Sequence, residues 1–481
     1  MDGTVQPAAS PGGGANRVRP AARSYRLGLL AVLGVALAAA GGASRYDEDQ
    51  QALVRLAALL VLAASLWPLE GVWLRNRWRW FAAVAALYAV LLLQLIPLPP
   101  ALWGGLPGHD LYAQVVDVAG AAGWRPLSLT PDLTRNALLA LLPPTAAGLG
   151  ALYLDRRGRR RVAQGIVGLA VASALLGLVQ LTGDGTSFHL YRETSADAPV
   201  GLFANRNHQA VLLASALPLI GALAGIRLRE GGDVRLVAAA VPALTALLLL
   251  ALVSTGSRMG LALGVVGLAG GFWCVRGAGA RIIRGRHARV SRIAIGLTAL
   301  AMIGGVALAA LHSGAIERLT ATDTVGETRV AMLAPLRNTA LAFMPFGAGF
   351  GAFDDVYRRF EPDALLSTIY MNQAHDEPLQ LAIEGGLPAL ALLLLFLGWW
   401  LRTGHFILRM RHASKERAMA RAALVVTIIA MASSLVDYPL RTPLLASVFV
   451  VACVELIRAV SPDRPHPGSG RRGPSVWRAG R

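Results

Sequence analysis

His375 is the residue whose type and surroundings best suit catalysis. It lies in the segment 372–378, which reads Asn-Gln-Ala-His-Asp-Glu-Pro. A neutral imidazole can take a proton from an attacking hydroxyl near neutral pH, and a neighbouring carboxylate, Asp376 or Glu377, can fix its tautomer. A single histidine in a loop can also be purely structural, and both acids can simply be solvated. His375 is therefore a candidate general base whose case depends on the residues that accompany it.

Two arginines are candidates for holding a phosphate group. Arg258 lies in the segment 254–260, Ser-Thr-Gly-Ser-Arg-Met-Gly, between two apolar stretches. An arginine at bilayer depth costs about 2.5–3.5 kcal/mol, so it either snorkels to the surface or is kept for a partner such as a phosphate. Arg329 lies near the start of 327–343, where apolar residues at spacings of three and four predict an amphipathic helix at the membrane face. There it can meet either lipid headgroups or an anionic substrate.

Four consecutive polar residues, Asn205, Arg206, Asn207 and His208, precede a further apolar stretch. We expect Asn207 to cap the N-terminus of the helix that follows. Capping accounts for one residue only, and the other side chains suit hydrogen bonds to sugar hydroxyls or to phosphate. The four residues are therefore candidates for substrate binding.

The remaining polar and glycine-rich motifs do not predict catalytic, phosphate-binding or metal-binding residues. Asp437 and Arg441 are expected to form an ion pair at a tight turn rather than to act in catalysis. The glycine-rich run 347–351 lacks the GxxxxGK[ST] signature of a phosphate-binding loop. The predicted outer loops contain no HExxH, no CxxC and no carboxylate cluster at metal-ligand spacing. The sequence therefore predicts neither a metal nor another cofactor.

Apolar stretches must position these residues, and such stretches dominate the composition. The chain has 481 residues, of which 55% are hydrophobic and 15% charged, against roughly 25% charged in a soluble domain. A helix of about 20 apolar residues crosses the hydrocarbon layer of a membrane. The sequence therefore predicts an all-α, polytopic membrane helix bundle of about twelve transmembrane helices. The predicted spans are 25–43, 51–67, 80–96, 136–154, 162–181, 209–226, 235–253, 259–275, 293–311, 379–401, 419–436 and 443–459.

The basic residues predict the topology of this bundle. A net charge of +18 and a pI near 11.2 can indicate nucleic-acid binding, but here the arginines concentrate in alternate connections, the positive-inside pattern. The pattern places both termini in the cytoplasm and accounts for the charge without a nucleic-acid partner. The outer connections are then 44–50, 97–132, 182–208, 254–258, 437–442 and one large outer loop, 312–378, between the ninth and tenth spans.

The chain divides into four predicted regions. Residues 1–24 and 461–481 form cytoplasmic tails, whose outer parts are rich in Pro, Gly, Arg and Ser. Residues 25–190 form an N-terminal transmembrane bundle. Residues 191–460, which include the large outer loop, carry all the candidate site residues.

Taken in order, the polar segments resemble the O-antigen ligase and O-antigen polymerase superfamily of bacterial membrane glycosyltransferases. The resemblance covers about residues 195–460, and its motifs share the predicted outer side. The matching segments are 201–208, 254–258, Arg329, 346–351, 374–376, 379–380, 384–386 and 437–440.

The resemblance implies transfer of a glycan from an undecaprenyl pyrophosphate carrier to an acceptor hydroxyl. The reaction would take place at the periplasmic face of a bacterial inner (plasma) membrane, without metal or nucleotide sugar. Arg258 and Arg329 would hold the pyrophosphate, and His375 would position or deprotonate the acceptor. The family often has Asn after this histidine, whereas Asp376 follows it here, which leaves the acceptor class open.

Several functions remain open at this point. The implied partners are an undecaprenyl pyrophosphate-linked glycan donor, a glycan or lipid acceptor and the membrane lipids. A ligase would use lipid A core as acceptor, and a polymerase would use another saccharide repeat. A transporter of lipid-linked glycan is an alternative from another class, but the predicted spans have almost no ionisable residues along a path, Arg55 being the main exception. A structural scaffold would not need His375.

Overall fold

The described part of the protein is mostly α-helical, with one sheet of two short strands. The structure, a computed structural model, describes residues 20–45, 49–66, 71–121, 123–182, 188–195, 198–276, 296, 304, 324–366, 371–410 and 415–460; within the helices that begin at 20, 71, 324 and 415, side chains are described from residues 25, 77, 331 and 416 onward. The described helices are α1 (Pro20–Ala40), α2 (Gln50–Leu66), α3 (Gly71–Leu93), α4 (Pro100–Gly104), α5 (Asp110–Val118), α6 (Pro131–Ala140), α7 (Leu142–Tyr153), α8 (Arg156–Gln180), α9 (Arg206–Arg229), α10 (Val234–Ser254), α11 (Arg258–Val275), α12 (Thr324–Ala342), α13 (Phe353–Tyr357), α14 (Glu377–Arg409), α15 (Lys415–Ser433) and α16 (Pro443–Val460).

Within the described residues, seven helical stretches are long and apolar enough to cross a membrane, and two shorter apolar helices, Tyr25–Ala40 and Gln50–Leu66, accompany them. The predicted all-α, polytopic membrane architecture is thus confirmed. The count of twelve stays a prediction, since the ninth predicted span, 293–311, lies outside the described residues except for positions 296 and 304. The seven stretches are Pro131–Tyr153, Arg156–Gln180, Arg206–Arg229, Val234–Ser254, Arg258–Val275, Glu377–Arg409 and Pro443–Val460.

Helix α9 is the central helix of the bundle, and nearly all its side chains from His208 onward are buried. Small residues let α11 pack directly on it: a Cβ atom added to Gly221 would lie 2.2 Å from the carbonyl oxygen of Gly271. Hydrophobic burial does not drive helices together in lipid, so close backbone packing of this kind is a principal source of association. The start of α9, which carries the four polar residues, packs on α11 in the same way, since a Cβ atom added to Gly260 would lie 2.5 Å from the Cβ of Ala210.

Two of the predicted outer connections pack together into one outer layer. In residues 97–126, the short strands β1 (Pro97–Leu98) and β2 (Arg125–Pro126) pair antiparallel. The Leu129 amide donates to the carbonyl of Ala348 at 2.9 Å. The guanidinium of Arg359 pairs with Asp110 at 3.1 Å. Connection 97–132 thus supports the described part of the large outer loop.

The glycine-rich run 347–351 serves this packing. A Cβ atom added to Gly349 would lie 2.0 Å from Ser128 Oγ, and Gly349 has φ +109°. The amides of Ala348 and Gly349 donate to the carbonyls of Ile383 and Glu384 at 2.8 and 3.0 Å. These amides are occupied within the protein, in agreement with the prediction that the run is not a phosphate-binding loop.

Candidate active site

The candidate site lies where the ends of α9, α11 and α14 meet the turn between α15 and α16. Asn207 and His208 lie in the first turn of α9, and Ser257 and Arg258 at the start of α11. His375 directly precedes α14, and Asp437 lies between α15 and α16. Segments far apart in the chain thus converge at the end of the bundle that is predicted to face outward.

Asp437 is the centre of this cluster, and its side chain is completely buried. The amide of Asn207 donates to Asp437 Oδ2 at 2.6 Å, and the backbone N–H of Tyr438 donates to Oδ1 at 2.8 Å. His208 Nε2 lies 3.6 Å from Oδ1, too far for a hydrogen bond and close enough for electrostatic attraction. A buried acid with these partners is suited to stabilise positive charge on nearby imidazoles.

The electrostatics of the cluster favour an ionised Asp437. Burial alone would raise the pKa of this carboxyl. Contact with His208, electrostatic attraction between the carboxylate and the imidazoles of His208 and His375, and the amide of Asn207 outweigh burial and hold the pKa of Asp437 below its usual range. The expected ion pair between Asp437 and Arg441 is wrong, because Arg441 pairs with Glu384 at 3.0 Å.

Asn207 connects Asp437 to the helix that carries Arg258. The hydroxyl of Ser257 donates to Asn207 Oδ1 at 2.8 Å, and Ser257 caps α11 by accepting from the Gly260 amide at 3.0 Å. Half-buried Arg258 is the first residue of that helix. The guanidinium-bearing helix end is thereby fixed relative to the buried acid.

The cap of α9 differs from the prediction. Asn205, not Asn207, is the N-cap, and its side chain accepts from the Asn207 amide at 2.8 Å. Asn207 is then free of the capping role and bridges Ser257 and Asp437. Arg206 is half-buried in the first turn of the same helix. The four predicted substrate-binding residues therefore divide into one cap, two partners of Asp437 and one arginine at the helix end.

His375 has a conformation that favours one tautomer. Its Nδ1 lies 2.9 Å from the carbonyl oxygen of Gln373, and because a carbonyl only accepts, Nδ1 must carry the hydrogen. The neutral ring then has its lone pair on Nε2, as a general base requires. The ring of Tyr438 stands edge-on to both His375 and His208, with centroids 4.9 and 5.2 Å away. The sequence predicted a carboxylate in the orienting role that this carbonyl takes.

The two acids that follow His375 are structural rather than solvated. Asp376 is the N-cap of α14 and accepts from the Leu379 amide at 2.9 Å. Glu377 is 9% exposed and accepts from the Leu440 amide at 3.1 Å. Both therefore help to attach the start of α14 to the turn after α15.

A buried polar chain supports His375 from within α14. Glu384, 1% exposed, accepts from Arg441 at 3.0 Å and from Gln380 at 2.9 Å. Gln380 also donates to Gln373 Oε1 at 2.6 Å and accepts from the Ala374 amide at 3.0 Å. His375 itself has φ +53°, a backbone conformation that needs support in a residue other than glycine. In the sequence, Gln380 and Glu384 are part of the resemblance only, although their spacing of four predicts that both lie on one helix face.

Arg329 lies in α12 (Thr324–Ala342), and its side chain is outside the described residues. The described part of α12 packs on α14 through a cluster that includes Leu336, Phe343 and Ile383. The predicted amphipathic helix 327–343 agrees with α12 to within a few residues. Among the residues that the structure describes, no group of three His, Cys, Asp or Glu is arranged to hold a metal ion.

Fold and site together define a polytopic helical membrane protein with a polar cluster at one membrane surface. The family model described as O-antigen ligase matches residues 243–394, which include Arg258, Arg329 and His375. The match confirms the assignment of this region to the O-antigen ligase superfamily. Asn207, His208 and Asp437 lie outside the matched range. Asn207 contacts Ser257 within it, and Tyr438, which follows Asp437, contacts His375 within it. The comparisons with curated proteins and with solved structures gave no match.

Proposed function

We propose that this protein transfers a glycan from an undecaprenyl pyrophosphate carrier to an acceptor hydroxyl at the periplasmic face of the inner membrane. The observation that carries the proposal is the convergence of His375, buried Asp437 and the Arg258 helix end. A general base, a buried counter-charge and a cation for a leaving phosphate are the groups that such a transfer needs.

The proposed reaction is one displacement at the anomeric carbon of the donor. The acceptor oxygen bonds to this carbon while the carbon–oxygen bond to the pyrophosphate breaks. The acceptor proton passes to Nε2 of His375, and the electron pair leaves with the pyrophosphate. Asp437 stabilises the imidazolium that forms, and Arg258 and Arg329 stabilise the charge on the leaving group.

A ligase is our first choice for the acceptor class, and a polymerase of the same superfamily is the alternative. Both would use the same base and the same cations, because they differ only in the hydroxyl that attacks. In a ligase the product is a surface polysaccharide or lipopolysaccharide that carries the finished glycan. In a polymerase the product is a longer carrier-linked chain.

The experiment that tests the proposal is a glycan profile of a strain carrying His375→Ala, compared with wild type and with a deletion strain. A ligase defect leaves polymer of normal length on the carrier and none on the mature surface. A polymerase defect leaves single repeat units instead. The control is His405→Ala, since His405 is an exposed histidine of α14 far along the helix from the site.

Two outcomes would contradict the proposal. Wild-type glycan from His375→Ala would remove this residue from catalysis. Donor stranded on the cytoplasmic leaflet, in both the variant and the deletion strain, would instead indicate a transporter.

A further inference from the structure

At the end of the bundle opposite the candidate site, four arginines come together from three helices. Arg229 is the last residue of α9, and Arg276 is the C-cap of α11. Arg417 and Arg421 lie in the first two turns of α15. We call these four residues the cytoplasmic arginine cluster, because the predicted topology places this end in the cytoplasm.

Small residues let the helices beneath the cluster pack closely. A Cβ atom on Gly270 of α11 would lie 2.6 Å from Val425 of α15, and one on Gly225 of α9 would lie 3.2 Å from the carbonyl oxygen of Cys274. The helix ends that carry the arginines are therefore held close together.

Among the described residues, no acid interacts electrostatically with Arg229 or with Arg421. The side chains that interact electrostatically with Arg421 are Arg417, Arg229, Arg276 and Cys274, and none is an acid. The acids nearby in the chain pair elsewhere: Glu230 with Arg160, Glu416 with Arg156 and Glu455 with Arg159. The adjoining segments 277–292 and 411–415 contain no Asp or Glu.

Two N–H groups of the cluster lack an acceptor. Arg229 Nη1 and Arg421 Nε are enclosed by protein and make no hydrogen bond to any described atom. Arg421 does donate through Nη1 to the carbonyl of Trp273 at 3.3 Å, and its guanidinium lies 4.5 Å from the centre of that indole ring. Buried donors without acceptors cost free energy, so the described residues do not fully satisfy either guanidinium group, although both side chains are only half-buried.

The dipole of α15 also favours a bound anion at this end of the bundle. Arg417 and Arg421 lie near the N-terminus of the helix, where cations are disfavoured and anions are stabilised. The positive-inside rule accounts for basic residues at this membrane surface, and the dipoles of α9 and α11 favour Arg229 and Arg276 at their C-terminal ends, but neither accounts for Arg417 and Arg421 near a helix N-terminus. An anionic group placed between the arginines would satisfy both features.

We propose that the cytoplasmic arginine cluster binds the phosphate group of an anionic phospholipid of the cytoplasmic leaflet. A lipid is favoured over a soluble anion because the cluster adjoins a lipid-facing surface of α11. Phe272, one turn before Arg276, is 67% exposed, and half-buried Trp273 lies beside Arg421 as an interfacial aromatic. Basic pockets between transmembrane helices on the cytoplasmic side bind phospholipid headgroups in this manner.

The test is native mass spectrometry of the full chain in uncharged detergent, titrated with dioleoylphosphatidylglycerol or with dioleoylphosphatidylcholine. We expect the wild type to prefer the anionic lipid. Arg421→Gln keeps a hydrogen-bonding side chain and removes the charge, and it should weaken binding about tenfold or more. Arg229→Gln is a second variant with the same expectation, so the test does not depend on one substitution.

Arg227→Gln is the matched control. Arg227 is exposed, lies two residues before Arg229 on α9, and loses the same charge when substituted. Equal affinity in this control and the wild type supports a defined site. If Arg227→Gln and Arg421→Gln lose the same affinity for phosphatidylglycerol, the binding depends only on general surface charge, and this result would overturn the proposal.

Two further results would overturn it. One is an unchanged affinity for phosphatidylglycerol in both Arg421→Gln and Arg229→Gln. The other combines two observations: the protein binds inorganic phosphate in a manner that depends on Arg421, and it binds phosphatidylglycerol no more tightly than phosphatidylcholine. This result would assign the cluster to a soluble anion.

Discussion

Gln380 is the residue through which the bundle sets the conformation of His375, and we expect its substitution to impair glycan transfer. Its side chain joins Glu384 at 2.9 Å to Gln373 at 2.6 Å and to the Ala374 amide at 3.0 Å. Gln380→Leu removes all three hydrogen bonds at similar volume. His375, with φ +53°, would then lose the bonds that hold its two preceding residues.

The size of the effect follows from these bonds. A bond to a charged group contributes about 1.5–3 kcal/mol and a neutral one about 0.5–1.5 kcal/mol, so one charged and two neutral bonds contribute at least about 2.5 kcal/mol. The strained backbone of His375 costs a further 1–3 kcal/mol or so and favours relaxation once the bonds are lost. Since 1.4 kcal/mol corresponds to a factor of ten, a loss of at least about 2.5 kcal/mol in the positioning of His375 should lower transfer by about sixtyfold or more.

The assay is glycan transfer by membranes that contain equal amounts of wild-type or variant protein, with thermal unfolding in detergent measured in parallel. Gln380→Glu tests the same bonds without a change of shape. Glu at this position can still accept from the Ala374 amide. It replaces the side-chain NH2 group, which donates to Gln373 and Glu384, with a carboxylate oxygen that faces the Glu384 carboxylate. Gln380→Glu should therefore lower transfer at least as much as Gln380→Leu. Gln114→Leu, at an exposed position of α5, is the control and should transfer normally.

The result that would refute this reasoning is wild-type transfer by Gln380→Leu. A loss of transfer that matches the loss of folded protein from the membrane would show instead that Gln380 acts in folding and does not position His375.

Two further predictions concern the arginines and the topology. Arg258→Ala and Arg329→Ala should abolish transfer while the protein stays folded and inserted, since each removes a charged contact of about 1.5–3 kcal/mol. Arg→Lys at either position should rescue transfer poorly, because an ammonium cannot replace the planar guanidinium fork. Full activity of either Ala variant would remove that residue from the site. Reporter fusions at Gly314 and Ser414 should report opposite compartments, and a report of the same side would overturn the predicted topology together with the outward-facing site.

The fold could be predicted from the sequence wherever hydropathy decides the structure. The apolar runs that became α8 to α11, α14 and α16 are long enough to span lipid, and a helix is the regular structure that satisfies its own backbone there. The packing of connection 97–132, and of the residues just before it, against the outer loop could not be predicted, because it depends on long-range contacts such as those of Gln94, directly after α3. This side chain donates to the Glu384 carbonyl at 2.8 Å and accepts from the Phe350 amide at 3.0 Å.

The site could be predicted in its residues and only partly in its contacts. His375, Asn207 and Arg258 were found because their types are unusual beside apolar stretches. Asp437 was paired with Arg441 on proximity in the chain alone. The actual partners, His208 and Glu384, are more than 50 residues away from these two in the sequence, and a pairing at that distance is a result of the tertiary fold.

The first part of α14, residues 377–385, is held by hydrogen bonds on two sides, and these contacts set the position of His375. The backbone carbonyl of Glu384 accepts from Gln94 and from Gly349 of the outer layer, while its carboxylate accepts from Gln380 and Arg441. At Gly386 the backbone has φ +59° and ψ −151°, which breaks the helix. Because the break separates residues 377–385 from the membrane-spanning remainder, the position of His375 is set by the outer layer and by the turn after α15. A substrate that binds to the outer layer would therefore contact the part of the protein that also positions His375, the proposed base.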